Sequence, residues 1–236
     1  MEQSITDIIV TTHNRLDYLK QTLQHIWERT RSPYKLHVID DASKSGNVEW
    51  LLEKWRVGRI ESLLLRGERH GLLPNIIAAT WISFSDPFVV TDDDILCPDV
   101  EPDWLTRGVR AMQARPRLGL LVLNHPGARR VALPELQHPK DKEVIYCMAV
   151  GGTFAFVRRK LAEEGTLPKR RYDFGTTPAM IRCLATRNMG YEIGYLRETY
   201  CQHIGVASIL TERNYSKIVI EPVDLKTLAP PERWRE

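Results

Sequence analysis

The chain has 236 residues, of which 43% are hydrophobic and 27% are charged, and this balance excludes disordered and fibrous proteins. Its formal net charge of +3 is too small for a nucleic-acid-binding surface, which needs a much larger excess of Lys and Arg. A chain of this length buries enough apolar surface to fold without disulfides or a structural metal.

The cysteines and the hydropathy predict a cytoplasmic protein with free thiols. The four cysteines are far apart and form no CxxC pair, which argues against a zinc site. Residues 1–4 do not begin a secretory leader, and the longest mostly apolar stretch, 145–157, is too short to span a bilayer. The basic segments 129–130 and 158–160 are interpreted as solvated faces. Peripheral contact with an anionic membrane surface is the alternative.

Strand and helix patterns alternate through the first ninety residues. Short apolar runs at 5–11, 36–39, 60–65 and 88–90 predict buried strands. Helical spacing of apolar residues follows the first three of these runs, and Asn14 is predicted to cap the first helix. Strands joined by helices are normally parallel, so we expect an α/β fold with a mostly parallel, Rossmann-like sheet flanked by helices.

The second half of the chain is less regular. We predict helices at 104–114 and 177–189, and strands at 118–123, 144–146, 154–157 and 191–196. The segment 124–142 is rich in Pro, His, Arg and Lys and is interpreted as a long exposed loop. The polar tail 211–236 carries no structural prediction.

Polar clusters follow the four predicted strands of the first half, at 11–15, 40–43, 66–75 and 92–94. Parallel sheets bind ligands at the carboxyl ends of their strands. The sequence therefore predicts a ligand site at this edge of the sheet.

Three adjacent carboxylates, Asp92, Asp93 and Asp94, form the most informative of these clusters. They repel one another and need a cation or strong hydrogen-bond donors to remain ionised. Asp92 and Asp94 point the same way if the segment is extended, and oxygen ligands suit Mg²⁺ or Mn²⁺. The alternative is an acidic loop that caps the next helix.

Other candidate residues have two interpretations each. His203 is a structural histidine or a ligand of Mn²⁺. Asp173 precedes a predicted helix and is either an acid that favours the helix dipole or a general base. Gly151 and Gly152 permit close approach of a ligand or form a turn, and Asp40 contacts a ribose or base or caps the next segment of the chain.

Seven motifs in order resemble the glycosyltransferases of the GT-A fold, and above all inverting family 2. They are Thr-Thr-His-Asn-Arg, Ile-Asp-Asp-Ala-Ser, His-Gly-Leu-Leu-Pro-Asn, Thr-Asp-Asp-Asp-Ile, Gly-Gly-Thr-Phe, Tyr-Asp-Phe and His-Ile-Gly. The resemblance covers residues 4–208.

The resemblance implies a role for each matching residue. Asp92 and Asp94 match the DxD motif, and with His203 they would hold Mn²⁺ or Mg²⁺, while a register shifted by one residue would bring Asp93 to the metal. Asp173 matches the catalytic base, although Tyr172 precedes it where the family often has a second acid. The expected donor-binding residues are Thr11, Asn14, Arg15, Asp40, Arg66, Asn75, Asp92, Asp93, Gly151 and Gly152.

The function implied by the resemblance is metal-dependent, inverting transfer of a sugar from a UDP-, dTDP- or GDP-linked donor to a hydroxyl of a glycan or lipid-linked acceptor. Residues 1–100 would form the nucleotide-sugar-binding half and 101–210 the acceptor-binding and catalytic half of one domain, followed by the tail 211–236. The donor, the acceptor and the oligomeric state are left open.

Two other functions fit parts of the sequence. A non-catalytic sugar-nucleotide-binding module would keep the fold, but it would not need the carboxylates and His203. A sugar-nucleotide pyrophosphorylase would need a glycine-rich loop after the first strand, and residues 9–14 contain no glycine.

Overall fold

The computed structural model describes residues 4–124, 141–147, 150–151, 154–163, 183 and 186–205. The strands are β1 (Thr6–Thr12), β2 (Tyr34–Asp40), β3 (Ser62–Leu65), β4 (Phe88–Asp92), β5 (Ile95–Leu96), β6 (Leu118–Asn124), β7 (Val144–Tyr146), β8 (Ala155–Val157), β9 (Glu192–Tyr200) and β10 (Gln202–His203). The helices are α1 (Leu16–Arg29), α2 (Ser45–Arg56), α3 (Leu72–Ile82), α4 (Trp104–Gln113) and α5 (Arg159–Glu163).

Eight of these strands form one sheet in the order β3-β2-β1-β4-β8-β6-β9-β7. The pairs β1–β2, β2–β3, β1–β4 and β6–β9 are parallel. Strand β8 lies antiparallel between β4 and β6, and β7 is antiparallel to β9. The predicted α/β class and the mostly parallel sheet are confirmed.

Alternating residues of β1 pack into two separate core layers, one on each face of the sheet. In β1, Ile8 and Val10 face a layer that includes residues of α1, α2 and α4. Ile9 faces the opposite layer, with residues of α3 and α5. Because both faces are covered, all seven residues of β1 are buried, as the continuous apolar run predicts.

Close packing fixes the second half against the first. Trp104 at the start of α4 is fully buried, its ring lies 4.6 Å from that of Phe154, and its indole N–H donates to Thr30 Oγ1 at 3.0 Å. A Cβ at Gly108 would lie 2.0 Å from the ring of Phe156, so only glycine fits there.

Two details of the fold differ from the sequence prediction. The N-cap of α1 is Arg15, without a side-chain cap, so the prediction that Asn14 caps this helix is wrong. Strands β5 and β10 are additions to the predicted elements, because two-residue strands carry no periodicity.

The predicted helix 104–114 and the predicted strands 118–123, 144–146, 154–157 and 191–196 are present as α4, β6, β7, β8 and β9. Of the predicted helix 177–189, residues 183 and 186–188 are helical and Met189 is in a turn, and its other residues lie outside the described residues. Of the predicted loop 124–142 only residues 124, 141 and 142 are described, and the tail 211–236 lies outside the described residues. All the elements above belong to one compact unit that ends at Ile204. The division into two functional halves stays a prediction. No helix in the described part of the chain is long and apolar enough to cross a membrane.

Candidate active site

The site lies at the point in the sheet where the order of successive strands changes direction. From β1 the chain adds β2 and β3 on one side and then returns to pair β4 with the other side of β1. Such switch points open a crevice at the carboxyl ends of the two diverging strands. Thr11 of β1 is in register with Asp92 of β4, so the polar segments after both strands meet at this crevice.

Side chains at the end of β1 and just after it hold the acidic turn, Asp92–Asp94, by direct hydrogen bonds. Thr11 Oγ1 donates to Asp92 Oδ1 at 3.2 Å, and Thr12 Oγ1 donates to Asp93 Oδ2 at 2.6 Å. The Arg15 guanidinium bridges Asp93 Oδ1 at 3.1 Å and Asp94 Oδ2 at 2.5 Å. One cation and two hydroxyls therefore compensate much of the mutual repulsion of the three carboxylates.

The shape of the turn differs from the expectation of an extended segment. Strand β4 ends at Asp92, and Asp93 and Asp94 form a turn before β5. The acidic turn does not cap the next helix, because Asp103 is the N-cap of α4 and accepts from Thr106 N at 2.7 Å.

Burial and neighbouring charges shift the pKa values of this cluster in different directions. Burial, together with the charges of Asp94 and Asp92, raises the pKa of Asp93 to about 7 against the effects of Thr12 and Arg15. Burial opposes ionisation of Asp94 too, but hydrogen bonds from His203 and Arg15 outweigh it and lower its pKa. The carboxylates in turn raise the pKa of Arg15 despite its burial.

His203 reaches the acidic turn through the short β5–β10 pair, in which it is in register with Ile95. Its Nε2 lies 3.1 Å from Asp94 Oδ2, and this hydrogen bond raises the pKa of the imidazole. The backbone N–H of Ile204 also donates to Asp94 O at 2.9 Å. The structure thus brings His203 and Asp94 together across 109 residues of sequence.

The donor set suits a hard divalent cation held through few protein ligands. Asp94 Oδ1 is buried and has no hydrogen-bond partner among the described residues, so one carboxylate oxygen is left uncompensated. No group of three His, Cys, Asp or Glu side chains within the described ranges is arranged to hold a metal ion. Mg²⁺ is commonly bound by one or two carboxylates plus substrate phosphates, and this arrangement can provide that.

Asp40 and Asn14 lie at the ends of the two neighbouring loops. Asp40 is 1% exposed, its Oδ1 accepts from Ser43 N at 2.8 Å, and its Oδ2 is buried without a partner in the described structure. Asn14 has a φ of 55°, which asparagine tolerates, and it links the loops through Ser43 Oγ and Lys44 N. Asn14 therefore joins loop to loop.

Arg66 and Asn75 contact each other on the far side of Asp40. Arg66 Nε donates to Asn75 Oδ1 at 2.7 Å, and the backbone N–H of Arg66 donates to Asp40 O at 3.0 Å. Asn75 is 3% exposed. The sequence-predicted pair is thus part of the wall that continues from Asp40.

Asp41 is a residue that the sequence pattern does not single out. Its two carboxylate oxygens accept from the backbone N–H groups of His70 and Gly71, both at 2.8 Å, and its backbone oxygen accepts from His13 Nδ1 at 2.7 Å. Burial opposes ionisation of Asp41, but the two backbone donors and a hydrogen bond from Asn75 outweigh it and lower its pKa. The sequence gives one hint, which is that two adjacent acids, Asp40 and Asp41, stand at the end of β2, whereas a single acid is enough to contact a ligand.

The glycine pair and the expected base are only partly described. Gly151 is exposed, and a Cβ placed there would meet none of the described residues within 4 Å. Gly152 and Asp173 lie outside the described residues, so their places in the site stay predictions.

Comparison with solved structures identifies the fold. GalNAc-T7 with UDP, GalNAc and Mn²⁺ has a TM-score of 0.70 at 13% identity, over 84% of this chain and 43% of that one. The Pyrobaculum calidifontis mannosyltransferase PcManGT with GDP-Man and Mn²⁺ has a TM-score of 0.62 at 18% identity, over 84% and 56%. S. aureus TarS 1-349 with UDP-GlcNAc has a TM-score of 0.61 at 13% identity, over 87% and 62%. The fold is that of the GT-A glycosyltransferases, as predicted.

The family follows from the sequence itself. The sequence model of the family described as glycosyl transferase family 2 matches residues 7–166, which is more than half of the chain. The chain belongs to this family, and the predicted glycosyltransferase resemblance is confirmed. A search of curated proteins found no match. The chain spans less than two thirds of the length of each of the three solved structures described above.

Proposed function

We propose that this chain catalyses metal-dependent, inverting transfer of a sugar from a nucleoside-diphosphate donor to an acceptor hydroxyl. The observation that carries the proposal is the acidic turn at the switch point, joined to Arg15 and His203, with one buried Asp94 oxygen left without a partner among the described residues. The three similar structures contain UDP, GDP-Man or UDP-GlcNAc, which supports a nucleotide-sugar donor.

The donor would lie across the crevice from Asp40 to the acidic turn. Asp40 Oδ2, unpartnered within the described structure, is an acceptor for a ribose hydroxyl or a base N–H. Arg66 and Asn75 continue the wall on that side, and Thr11, Asn14 and Arg15 line the loop after β1. Asp92, at the half-exposed end of β4, faces the diphosphate and ribose in this arrangement.

The reaction is a single displacement at the anomeric carbon. The acceptor oxygen forms a bond to this carbon as the carbon–oxygen bond to the diphosphate breaks, and the acceptor proton passes to a carboxylate, which we assign to Asp173. Attack from the face opposite the leaving group inverts the configuration. Gly151 and Gly152 would leave room for the sugar and acceptor.

A bound Mn²⁺ or Mg²⁺ would neutralise the charge that develops on the departing diphosphate. Asp94 and Asp92 would hold it, with His203 beside Asp94 or, in the register shifted by one, with Asp93. Arg15 contacts two of the carboxylates with its single positive charge, and it would keep the turn folded when the donor is absent.

Calorimetry of UDP and GDP binding with and without Mn²⁺ tests the metal site. We expect binding of at least one nucleotide to be tenfold or more tighter with Mn²⁺, and the Mn²⁺ effect to disappear in Asp94→Asn. Asp99→Asn is the matched control, because Asp99 is an exposed carboxylate of the same segment, paired with Arg31. Equal affinity with and without Mn²⁺ in the unsubstituted protein would refute the metal site.

The base assignment needs a separate test. Asp173→Asn should retain nucleotide binding and lose about 10²–10⁴-fold in transfer rate, which is the usual contribution of general base catalysis. A variant that binds donor and transfers sugar at the full rate would remove Asp173 from the mechanism.

A further inference from the structure

A second cleft, of about 620 Å³, lies between α1 and α2, away from the acidic turn. Its volume is typical of small-molecule sites, which are roughly 300–1,000 Å³. Its lining includes Lys20, Trp27 and Glu28 of α1, Trp50 and Lys54 of α2, and Arg59 just after α2. None of these residues belongs to the site described above, and the first of them lies about 8 Å along α1 from Arg15.

Two half-buried indoles form the wall of this cleft, and each has a cation beside it. The ring centroids of Trp27 and Trp50 are 6.4 Å apart. The ammonium groups of Lys20 and Lys54 lie 5.9 Å and 5.5 Å from the Trp50 ring, and the Arg59 guanidinium lies 4.8 Å from the Trp27 ring. The cleft therefore contains two similar units, and each unit is a flat apolar ring with a positive charge next to it.

The charges of the lining favour an anionic ligand. Lys20, Lys54 and Arg59 are opposed within the lining by Glu28, and Lys54 also pairs with Glu53 at 2.8 Å, so the lining and this partner together carry an excess of one positive charge at neutral His25, with Lys20 and Arg59 as the cations available to a ligand. Cation–π contacts at exposed positions are weak, so the Lys and Arg head groups can leave the rings to pair with an anion. Arg59 can pair with a carboxylate through two parallel hydrogen bonds.

We infer that this cleft binds an anionic oligosaccharide of the hexuronate type, with a sugar ring against each indole and its carboxylate on the adjacent cation. A hexuronate unit combines a flat C–H face and a carboxylate in one ring, which matches the repeated unit of the cleft. The two indoles are spaced on the scale of one sugar unit.

Two other anionic partners fit this cleft less well. A membrane surface contacts protruding side chains, whereas Trp27 and Trp50 form the wall of a depression. A nucleic acid needs a track of cations along its backbone, and the chain as a whole has a net charge of only +3.

Calorimetry with tetragalacturonate, against the neutral maltotetraose, tests the inference. We expect tetragalacturonate alone to bind, with affinity falling as salt is added, and at least tenfold weaker binding in Trp50→Ala. Arg59→Glu, a change at an exposed position that leaves the core intact, should weaken binding to a similar extent. Trp55→Ala is the control, because Trp55 is an exposed tryptophan of α2 outside the lining.

Several results would overturn the inference. These are absence of tetragalacturonate binding, equal affinity for maltotetraose, or unchanged affinity in both Trp50→Ala and Arg59→Glu. Binding to vesicles of anionic phosphatidylglycerol that Trp50→Ala abolishes, without tetragalacturonate binding, would assign the cleft to a membrane surface. Binding does not depend on transfer activity, so failure of the proposed function leaves this test unaffected.

Discussion

A buried carboxylate lies at each end of β1, and the pKa values of these two carboxylates are shifted in opposite directions. Asp7, at the start of the strand, accepts the backbone N–H groups of Phe84 and Ser85 at 2.5 and 2.9 Å and the imidazole N–H of His37 at 3.1 Å. Burial would raise its pKa, but these donors lower it to about 2. Asp93, against the far end of the strand, has a pKa raised to about 7.

Both side chains are buried, at 4% and 2% exposure, and burial is the largest cause acting to raise each pKa. At Asp7 the hydrogen-bond donors outweigh it, whereas at the more deeply buried Asp93 they do not. Asp7 is surrounded by donors, and no carboxylate among the described residues contributes to its pKa shift. Asp93 lies between two other acids, Asp92 and Asp94, and it shares the guanidinium of Arg15 with Asp94. A satisfied carboxylate stabilises the fold, whereas an under-compensated cluster keeps the capacity to bind a cation.

The largest effect that would break this comparison is expected from Asp7→Ala. This substitution leaves two backbone N–H groups and the His37 side chain without their acceptor, so the free energy of unfolding should fall by about 3–5 kcal/mol. Asp93→Asn, at the other edge, should change it by less than about 1 kcal/mol, because burial and the charges of Asp94 and Asp92 already disfavour the ionised form of Asp93. Urea unfolding measures both, and a similar loss in the two variants would contradict the distinction.

Acid should remove the contribution of Asp7 in a defined pH range. The pKa of Asp7 is lowered in the folded protein, so its stabilisation is complete above the unfolded value of 3.8 and is lost as the pH falls toward about 2. A shift of this size corresponds to about 2 kcal/mol. Urea unfolding at a series of pH values from about 5 to about 2 should show a shallower decline in Asp7→Ala than in the unsubstituted protein. Parallel curves would contradict this assignment.

The smallest effect is expected from Gly151→Ala. The new Cβ would meet no described residue within 4 Å, and the backbone φ is not in the left-handed region, so the free energy of unfolding should change by less than about 0.5 kcal/mol. Thermal unfolding checks this. If the same variant weakens nucleotide-sugar binding, the ligand passes beside Gly151, and a large loss of stability would show that the space beside it is filled.

The first half of the fold could be predicted because its elements are local. The apolar runs of β1 and β4 and the helical spacing in α1 are properties of short windows, and each bound of the two strands lies within two residues of its prediction. The antiparallel insertion of β8 between β4 and β6 could not be predicted in this way. Three apolar residues do not specify which strands they pair with or in which direction.

The candidate site was predictable in its composition more than in its geometry. Polar clusters at strand ends indicate Thr11, Arg15 and the acidic turn, and the structure joins these by hydrogen bonds. The loop-bridging positions of Asn14 and Asp41 depend on backbone groups of other loops. Such contacts leave no periodicity in the sequence, which is why the pattern predicts Asn14 as a helix cap and does not distinguish Asp41.

The pairing of β10 with β5 has a consequence for the order of events during synthesis. A nascent chain that ends with β9 already contains the acidic turn and the residues Thr11, Thr12 and Arg15 that hold it. It does not yet contain His203, which lies in β10. Because β9 pairs with β6 and Cys201 N donates to Asn124 O at 2.7 Å, placing β9 in the sheet already carries His203 most of the way to Asp94, and only a short further closure is needed. The contact between His203 and Asp94 is therefore among the last contacts of the described residues that a growing chain can form.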